Sequence, residues 1–289
     1  METLQAKNFN LKSTIESGQL FRYSSGSDGS YRVVAGDSIV NLRQEGDKLE
    51  FESSNDFDVE SFLGLRHSYS GIVKSIRKDE KIAAAIKSHH GLRILEQGLW
   101  ECTASFICSS FSNIPRIRRC IENIATAFGE PIGFEGLSAF SFPQPHQISS
   151  FQRLEKCGLG YRAKYLFETA MIFASGSGEF SQRNLRSLSY ADAKEKFMEL
   201  PGVGSKVADC ILLFSCGFYE AFPVDVWVKR AMLGSYGMEI NAFAAGRKPN
   251  ERIIAGFARS YFGKYAGYAQ QFIYHNSRTS GKLPSALVT

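Results

Sequence analysis

The sequence predicts an α+β fold, with a small N-terminal antiparallel β-sheet packed on a mostly helical body. Three observations carry that prediction. Residues 1 to about 55 hold short alternating runs broken by turn residues. From about residue 91 almost everything shows helical periodicity. Between residues 190 and 215 two helical runs flank Leu200-Pro201-Gly202-Val203-Gly204, the pattern of a helix-hairpin-helix.

In chain order, strands are predicted over residues 19–23, 31–35, 38–43 and 49–52. Gly26-Ser27-Asp28-Gly29, Ala35-Gly36-Asp37 and Glu45-Gly46-Asp47-Lys48 supply the turns between them. Residues 56–65 and 69–88 switch to helical periodicity. Further helices are predicted over 99–109, 114–128, 148–156, 162–175, 190–199, 205–215, 225–236, 250–262 and 266–277. The stretch 133–147, beside Pro131, Pro143 and Pro145, reads as a loose link. Residues 175–178 and 244–249 read as loops, and the tail from Arg278 as loose. The domain division this suggests is 1–95, bearing the sheet, and 96–289, helical.

The chain has 289 residues, 44% of them hydrophobic, and a net charge of +5. That mild excess suits an acidic partner such as DNA without demanding one. There are six cysteines, with no CxxC pair and none beyond Cys216. This argues against a zinc ribbon or a C-terminal iron–sulfur cluster, so no metal or cofactor is expected. The N-terminus lacks a signal-peptide core and no apolar run reaches membrane length. The expectation is an intracellular protein with free thiols and no membrane partner.

The chemistry concentrates at the hairpin. Gly202 and Gly204 allow a tight turn whose backbone N–H groups, at a helix N-terminus, suit a phosphate. Lys206 falls in the first turn of the second helix, where a positive charge opposes the helix dipole. A lysine nucleophile must attack as the free amine, and desolvation is the main way to favour one. Cys210 lies one helical turn on, on the same face. Asp225, after Pro223-Val224, is placed to return a carboxylate. Two readings stay open at this point: a phosphate-contacting lysine with a helix-capping aspartate, or a catalytic pair.

The combination L-P-G-V-G-x-K with P-V-D resembles the helix-hairpin-helix DNA glycosylase superfamily, in which this lysine and aspartate are catalytic. Ser17-Gly18-Gln19-Leu20-Phe21-Arg22-Tyr23 resembles a motif of its 8-oxoguanine DNA glycosylase family. More family-like stretches follow in order. They are Phe106 to Ser110 before a helix with Asn113 and Arg116, then Gly158 to Tyr165, the hairpin, and Tyr265 to Gln271. The resemblance covers roughly residues 10–276.

It implies an enzyme that flips the damaged base out of duplex DNA into a pocket. Oxidised guanine carries a hydrogen on N7 where guanine has a lone pair. The resemblance implies that the Gly18 carbonyl accepts that hydrogen and that Gln270 reads the Watson–Crick edge. Cys210 would press on one face of the base. Tyr274, at the position of a family phenylalanine, would stack on the other. Lys206 would attack C1′ with Asp225 assisting, and the resulting Schiff base would cut the strand by β-elimination. Arg116 and Arg162 would read the opposite cytosine, Tyr161 would wedge into the duplex, and Asn113, Gly202 and Gly204 would lie against DNA. Two departures stand out: Phe111 where the family commonly has asparagine, and Trp227 where eukaryotic relatives commonly have histidine. The implied partner is double-stranded DNA containing oxidised guanine, met by a monomer. A hairpin glycosylase for another lesion, or a non-catalytic DNA-binding protein, are the alternatives. Endonuclease III-like relatives usually carry C-terminal cysteines, and alkyl-base relatives usually lack the lysine.

Overall fold

Five antiparallel strands open the chain, in the sheet order β1-β5-β4-β3-β2. In this computed structural model, which describes residues 1–176 and 178–279, β1 is Glu2–Gln5, β2 Tyr23–Ser25, β3 Tyr31–Ala35, β4 Ser38–Glu45 and β5 Lys48–Ser53. Ala35 pairs with Ser38 and Glu45 with Lys48, so both connections are two-residue hairpin loops. Each begins with a glycine at positive φ, Gly36 at 60° and Gly46 at 59°. Alternation then sends Tyr31, Val33, Val40, Leu42, Leu49 and Phe51 inward, onto a small apolar core with Phe9, Leu11 and Ile15.

The first residues differ from expectation. β1 was not anticipated, and residues 11–15 form a short helix, α1 (Leu11–Ile15), capped by Asn10, which accepts from the Ser13 amide at 2.8 Å. The predicted strand over 19–23 is a turn leading into β2. The Gln19 side chain explains it, because it takes up the bonding that a strand neighbour would otherwise supply. Its Nε2 donates to the Thr14 and Arg93 carbonyls at 3.1 and 2.8 Å, and its Oε1 accepts from the Leu95 amide at 2.8 Å.

Next come α2 (Val59–Phe62), α3 (Tyr69–Ile76) and α4 (Glu80–Ser88). The single helical span expected over 69–88 is divided at Asp79, whose carboxylate caps α4 by accepting from the Lys81 and Ile82 amides. The helical body comprises α5 (Leu99–Ser109), α6 (Ile114–Phe128), α7 (Phe151–Glu155), α8 (Arg162–Ala174), α9 (Gln182–Arg186), α10 (Tyr190–Met198), α11 (Ser205–Ser215), α12 (Val226–Ala244), α13 (Glu251–Phe262) and α14 (Ala266–Thr279). The expected loose link holds a hairpin, β6 (Pro131–Phe134) with β7 (Leu137–Phe140), turned by Glu135 and Gly136 at positive φ. α7 is shorter than expected because Ser150 caps it, and α9 was not anticipated. α12 continues past the predicted end at 236. Tyr236 leaves helical geometry, its hydroxyl bonds Asp79 at 3.1 Å, and the helix resumes to Ala244. Arg278 and Thr279 belong to α14; the remainder of the tail, and Ser177 in the expected loop, lie outside the described residues.

The second helix of the hairpin, α11, is the axis of the body. Every residue from Val207 to Ser215 is buried, against α5, α10 and neighbouring helices. Burial on all sides makes it a rigid support for what its first turn carries. The two apolar cores divide the first hundred residues: Phe21, Ile72, Ile82 and Leu92 join the larger one, Leu20 and Leu95 the smaller. Gln97 ties the glycine-bearing turn to α11. Its Nε2 donates to the Gln19 carbonyl at 2.7 Å and its backbone N–H to the Phe214 carbonyl at 2.8 Å. Buried Arg22 reaches across to Glu122 at 3.0 Å and to the Phe140 carbonyl at 2.6 Å. Among the described residues no helix is long and apolar enough to cross a membrane.

Candidate active site

Local chemistry shapes the hairpin turn. Gly202 has φ +78°, and a Cβ there would stand 2.8 Å from the Tyr165 Cβ, so glycine lets α8 close on the turn. Gly204 is the N-cap of α11 in an extended conformation. It has open space around it, and no side chain caps the first amides of the helix. Lys206 follows in that first turn. Its Nζ donates to Ser109 Oγ at 3.1 Å and lies 5.2 Å from the centre of the Phe106 ring.

Asp225 is a helix cap that also faces a cleft. Its Oδ1 accepts from the Val228 amide at 2.8 Å, so it caps α12. The same side chain lines a cleft together with Lys206. Burial raises its carboxyl above the ordinary value, partly offset by the Val228 N–H and the nearby Lys206 charge.

That cleft is partly open to solvent and has a cavity volume of about 40 Å³. Gly18, Lys206, Cys210, Asp225, Gln270 and Tyr274 all line it, joined by Phe106, Phe214, Pro223 and Gln271. Four remote parts of the chain therefore meet: the turn after α1, α5, the hairpin with the start of α12, and α14. Gly18 stands at φ +82°. The carbonyls on either side of it are taken, Ser17 by Gln271 at 2.9 Å and Gln19 by Gln97 at 2.7 Å. Among the described residues none donates to the Gly18 carbonyl itself. The Gln270 side chain is buried with its Oε1 unpartnered among the described residues. Burial pushes the Cys210 thiol up to about 12, so it presents a neutral sulfur to the cleft.

The remaining predicted residues form a second group, outside the cleft. Phe111 is 96% exposed at φ +48°. Tyr161 is 55% exposed, edge-on to Tyr165 on the hairpin glycine. Arg116 is exposed, and Asn113 caps α6 by accepting from the Arg116 amide at 3.0 Å. Arg162 differs, being only 4% exposed. Its Nε donates to the Ser110 carbonyl at 2.7 Å, its Nη2 to the Ser110 and Phe111 carbonyls, and its Nη1 to the Leu159 carbonyl at 3.2 Å. Its guanidinium also covers the Tyr161 ring.

Sequence reasoning did not single out Ser109 or Arg278. Ser109 lies in a quoted family-like stretch, but nothing there marks its bond to Lys206. Arg278 stacks on Tyr274 and has a buried Nη1 without a partner among the described residues. No motif points to it.

A buried helix-hairpin-helix that brings a lysine and an aspartate to one cleft is the arrangement of the helix-hairpin-helix DNA glycosylase superfamily. The family model for the 8-oxoguanine DNA glycosylase N-terminal domain matches residues 3–103. A probable N-glycosylase/DNA lyase of Methanothermobacter thermautotrophicus is 34% identical over 259 residues, 82% of this chain and 76% of that protein. The structure of MBOgg1 in complex with a low-affinity DNA ligand superposes with a TM-score of 0.89 at 38% identity, covering 97% of this chain and 96% of that one. The Clostridium acetobutylicum 8-oxoguanine glycosylase/lyase, bound to duplex DNA with cytosine opposite 8-oxoguanine, gives 0.87 at 29% identity, covering 98% and 99%. This chain belongs to the 8-oxoguanine DNA glycosylase/lyase family.

Proposed function

We propose that this chain flips 8-oxoguanine from duplex DNA into the cleft and removes it with Lys206 as the nucleophile. As a member of its family it is a bifunctional DNA glycosylase and abasic-site lyase of base-excision repair. One observation carries the residue assignments: Gly18, Lys206 and Asp225, far apart in sequence, line one cleft.

In this reading the Lys206 amine attacks C1′, and the bond from C1′ to N9 of the base breaks. The Asp225 carboxylate stabilises the positive charge that develops on the sugar. The amine–sugar adduct loses a proton and opens to a Schiff base, from which β-elimination breaks the C3′–O bond. The free Gly18 carbonyl accepts from N7–H of the damaged base and would face a lone pair in guanine. Such a lost bond costs about 1–3 kcal/mol, a selection of roughly ten- to a hundredfold. The unused acceptor of Gln270 suits N1–H and the amino group of the Watson–Crick edge. Cys210 and Tyr274 supply apolar surface to the two faces of the base.

The partner is duplex DNA, with Phe111 and Tyr161 entering the stack and Arg116 meeting the opposite cytosine. Asn113 positions Arg116 through the α6 cap, while Gly202 and Gly204 present the open start of α11 to a phosphate. Residues 1–95 bring the recognising glycine and 96–289 the nucleophile. One chain supplies every group, which supports action as a monomer, inside the cell where DNA is.

Borohydride trapping on a duplex containing 8-oxoguanine tests this reading. Wild type should form a covalent adduct, and Lys206→Gln should form none while still binding the lesion duplex. A normal adduct yield in Lys206→Gln removes the assignment.

A further inference from the structure

Lys206 Nζ donates to Ser109 Oγ at 3.1 Å. The Ser109 hydroxyl proton is already committed, since it donates to the Phe106 carbonyl at 2.7 Å. Ser109 therefore faces Lys206 as an acceptor. It takes one N–H of the Lys206 side chain, while the Phe106 ring limits movement on another side. A bond of this polarity aims a nucleophile without quenching it.

Ser109 is the last residue of α5, and the chain runs straight on into Ser110 and Phe111. Both of those carbonyls are held by Arg162. The hold keeps Phe111 in a left-handed backbone conformation with its ring fully out in solvent. The same three-residue segment thus touches the amine at one end and presents the exposed ring at the other.

We propose that Ser109 is a positioning residue for the nucleophile, and that the Arg162 grip on Ser110 and Phe111 makes the aim of Lys206 depend on how Phe111 is seated. The proposal rests on Lys206 being the nucleophile. It gives the opposite-strand side of the site a mechanical route to the reacting amine: a ring seated in the duplex holds the segment, and the segment holds the amine on C1′. Arg162 then acts as the spring of this segment.

The test is single-turnover excision on saturating 8-oxoguanine duplex. Ser109→Ala should lose about tenfold in rate, the scale of a single lost hydrogen bond, at unchanged duplex affinity and melting temperature. Ser109→Thr, which keeps the hydroxyl, should recover most of the rate. Arg162→Met should show a loss of the same kind, and the double variant should be no slower than the slower single one, because both act on one path. Should Arg162→Met melt early, Arg162→Lys replaces it in the cycle. A Ser109→Ala enzyme with wild-type rate, or losses that multiply in the double variant, overturns the proposal. Failure of the underlying reading shows separately, as a trapped adduct in Lys206→Gln whatever Ser109 does.

Discussion

The Tyr274 ring lies directly on the backbone of Gly18. A Cβ on Gly18 would stand 3.0 Å from Tyr274 Cε1, 3.1 Å from its hydroxyl oxygen and 2.9 Å from Arg278 Nη1. The Gly18 turn and α14 thus meet where a Cβ would make Tyr274 and Arg278 shift. Gly18→Ala would strain a residue at φ +82° and push the ring away. Backbone strain alone is worth about 1–2 kcal/mol. We expect a lower melting temperature and lesion-duplex affinity reduced by at least about tenfold, read by calorimetry and titration. Unchanged affinity in a stable Gly18→Ala variant would mean that Tyr274 has room to yield.

Asp225→Asn separates capping from catalysis. The amide keeps an oxygen for the Val228 N–H, so α12 should stay formed. Removing the charge should lower single-turnover excision by more than about 10²-fold. Burial raises this carboxyl, so the ionised form is lost, as pH falls, sooner than for an ordinary carboxylate. Excision should decline on the acidic side accordingly, and the asparagine variant should lack that limb. A variant that melts early yet reacts normally per folded molecule would leave Asp225 as a cap alone.

Arg116 is the exposed arginine of the second group, and Arg162 is engaged with carbonyls. Arg116→Ala should therefore shrink the rate ratio of cytosine over adenine opposite the lesion, by up to the 1–3 kcal/mol scale of about ten- to a hundredfold. Phe111→Ala should weaken binding to all four opposite bases about equally, since stacking does not read identity. Rates against all four bases decide it. A changed ranking in Phe111→Ala would reverse the division of roles.

His89 and His275 stand 4.3 Å apart and join α4 to α14, the helix that carries Gln270 and Tyr274. Burial, with His89 and Arg278 nearby, pushes His275 down to about 4, and burial lowers His89 as well. A depressed folded value means the stabilisation is present above the unfolded value of about 6.5 and is lost as pH falls toward 4. Melting temperature should fall across that window, and His275→Phe should flatten part of the fall. Equal slopes in the two proteins would place the acid sensitivity elsewhere.

Much of this was legible because punctuation was strong. Pro201, Gly202 and Gly204 fixed the hairpin, and α5, α6 and α11 begin and end where periodicity put them. The six cleft residues were legible as family motifs, and the resemblance implied that they meet around one base. What was hidden depends on partners far away in sequence. Gln19 abandons a strand for Arg93 and Leu95. Arg162 serves carbonyls about fifty positions upstream, and Tyr236 bends α12 toward Asp79. Short elements such as α1 and the β6–β7 hairpin lie below the length at which periodicity speaks.

All six cysteines are unpaired and buried. Burial pushes the thiols of Cys102, Cys108, Cys157, Cys210 and Cys216 upward, which starves them of the thiolate that peroxides attack. The oxidants that turn guanine into the substrate therefore find few thiolates among these five cysteines.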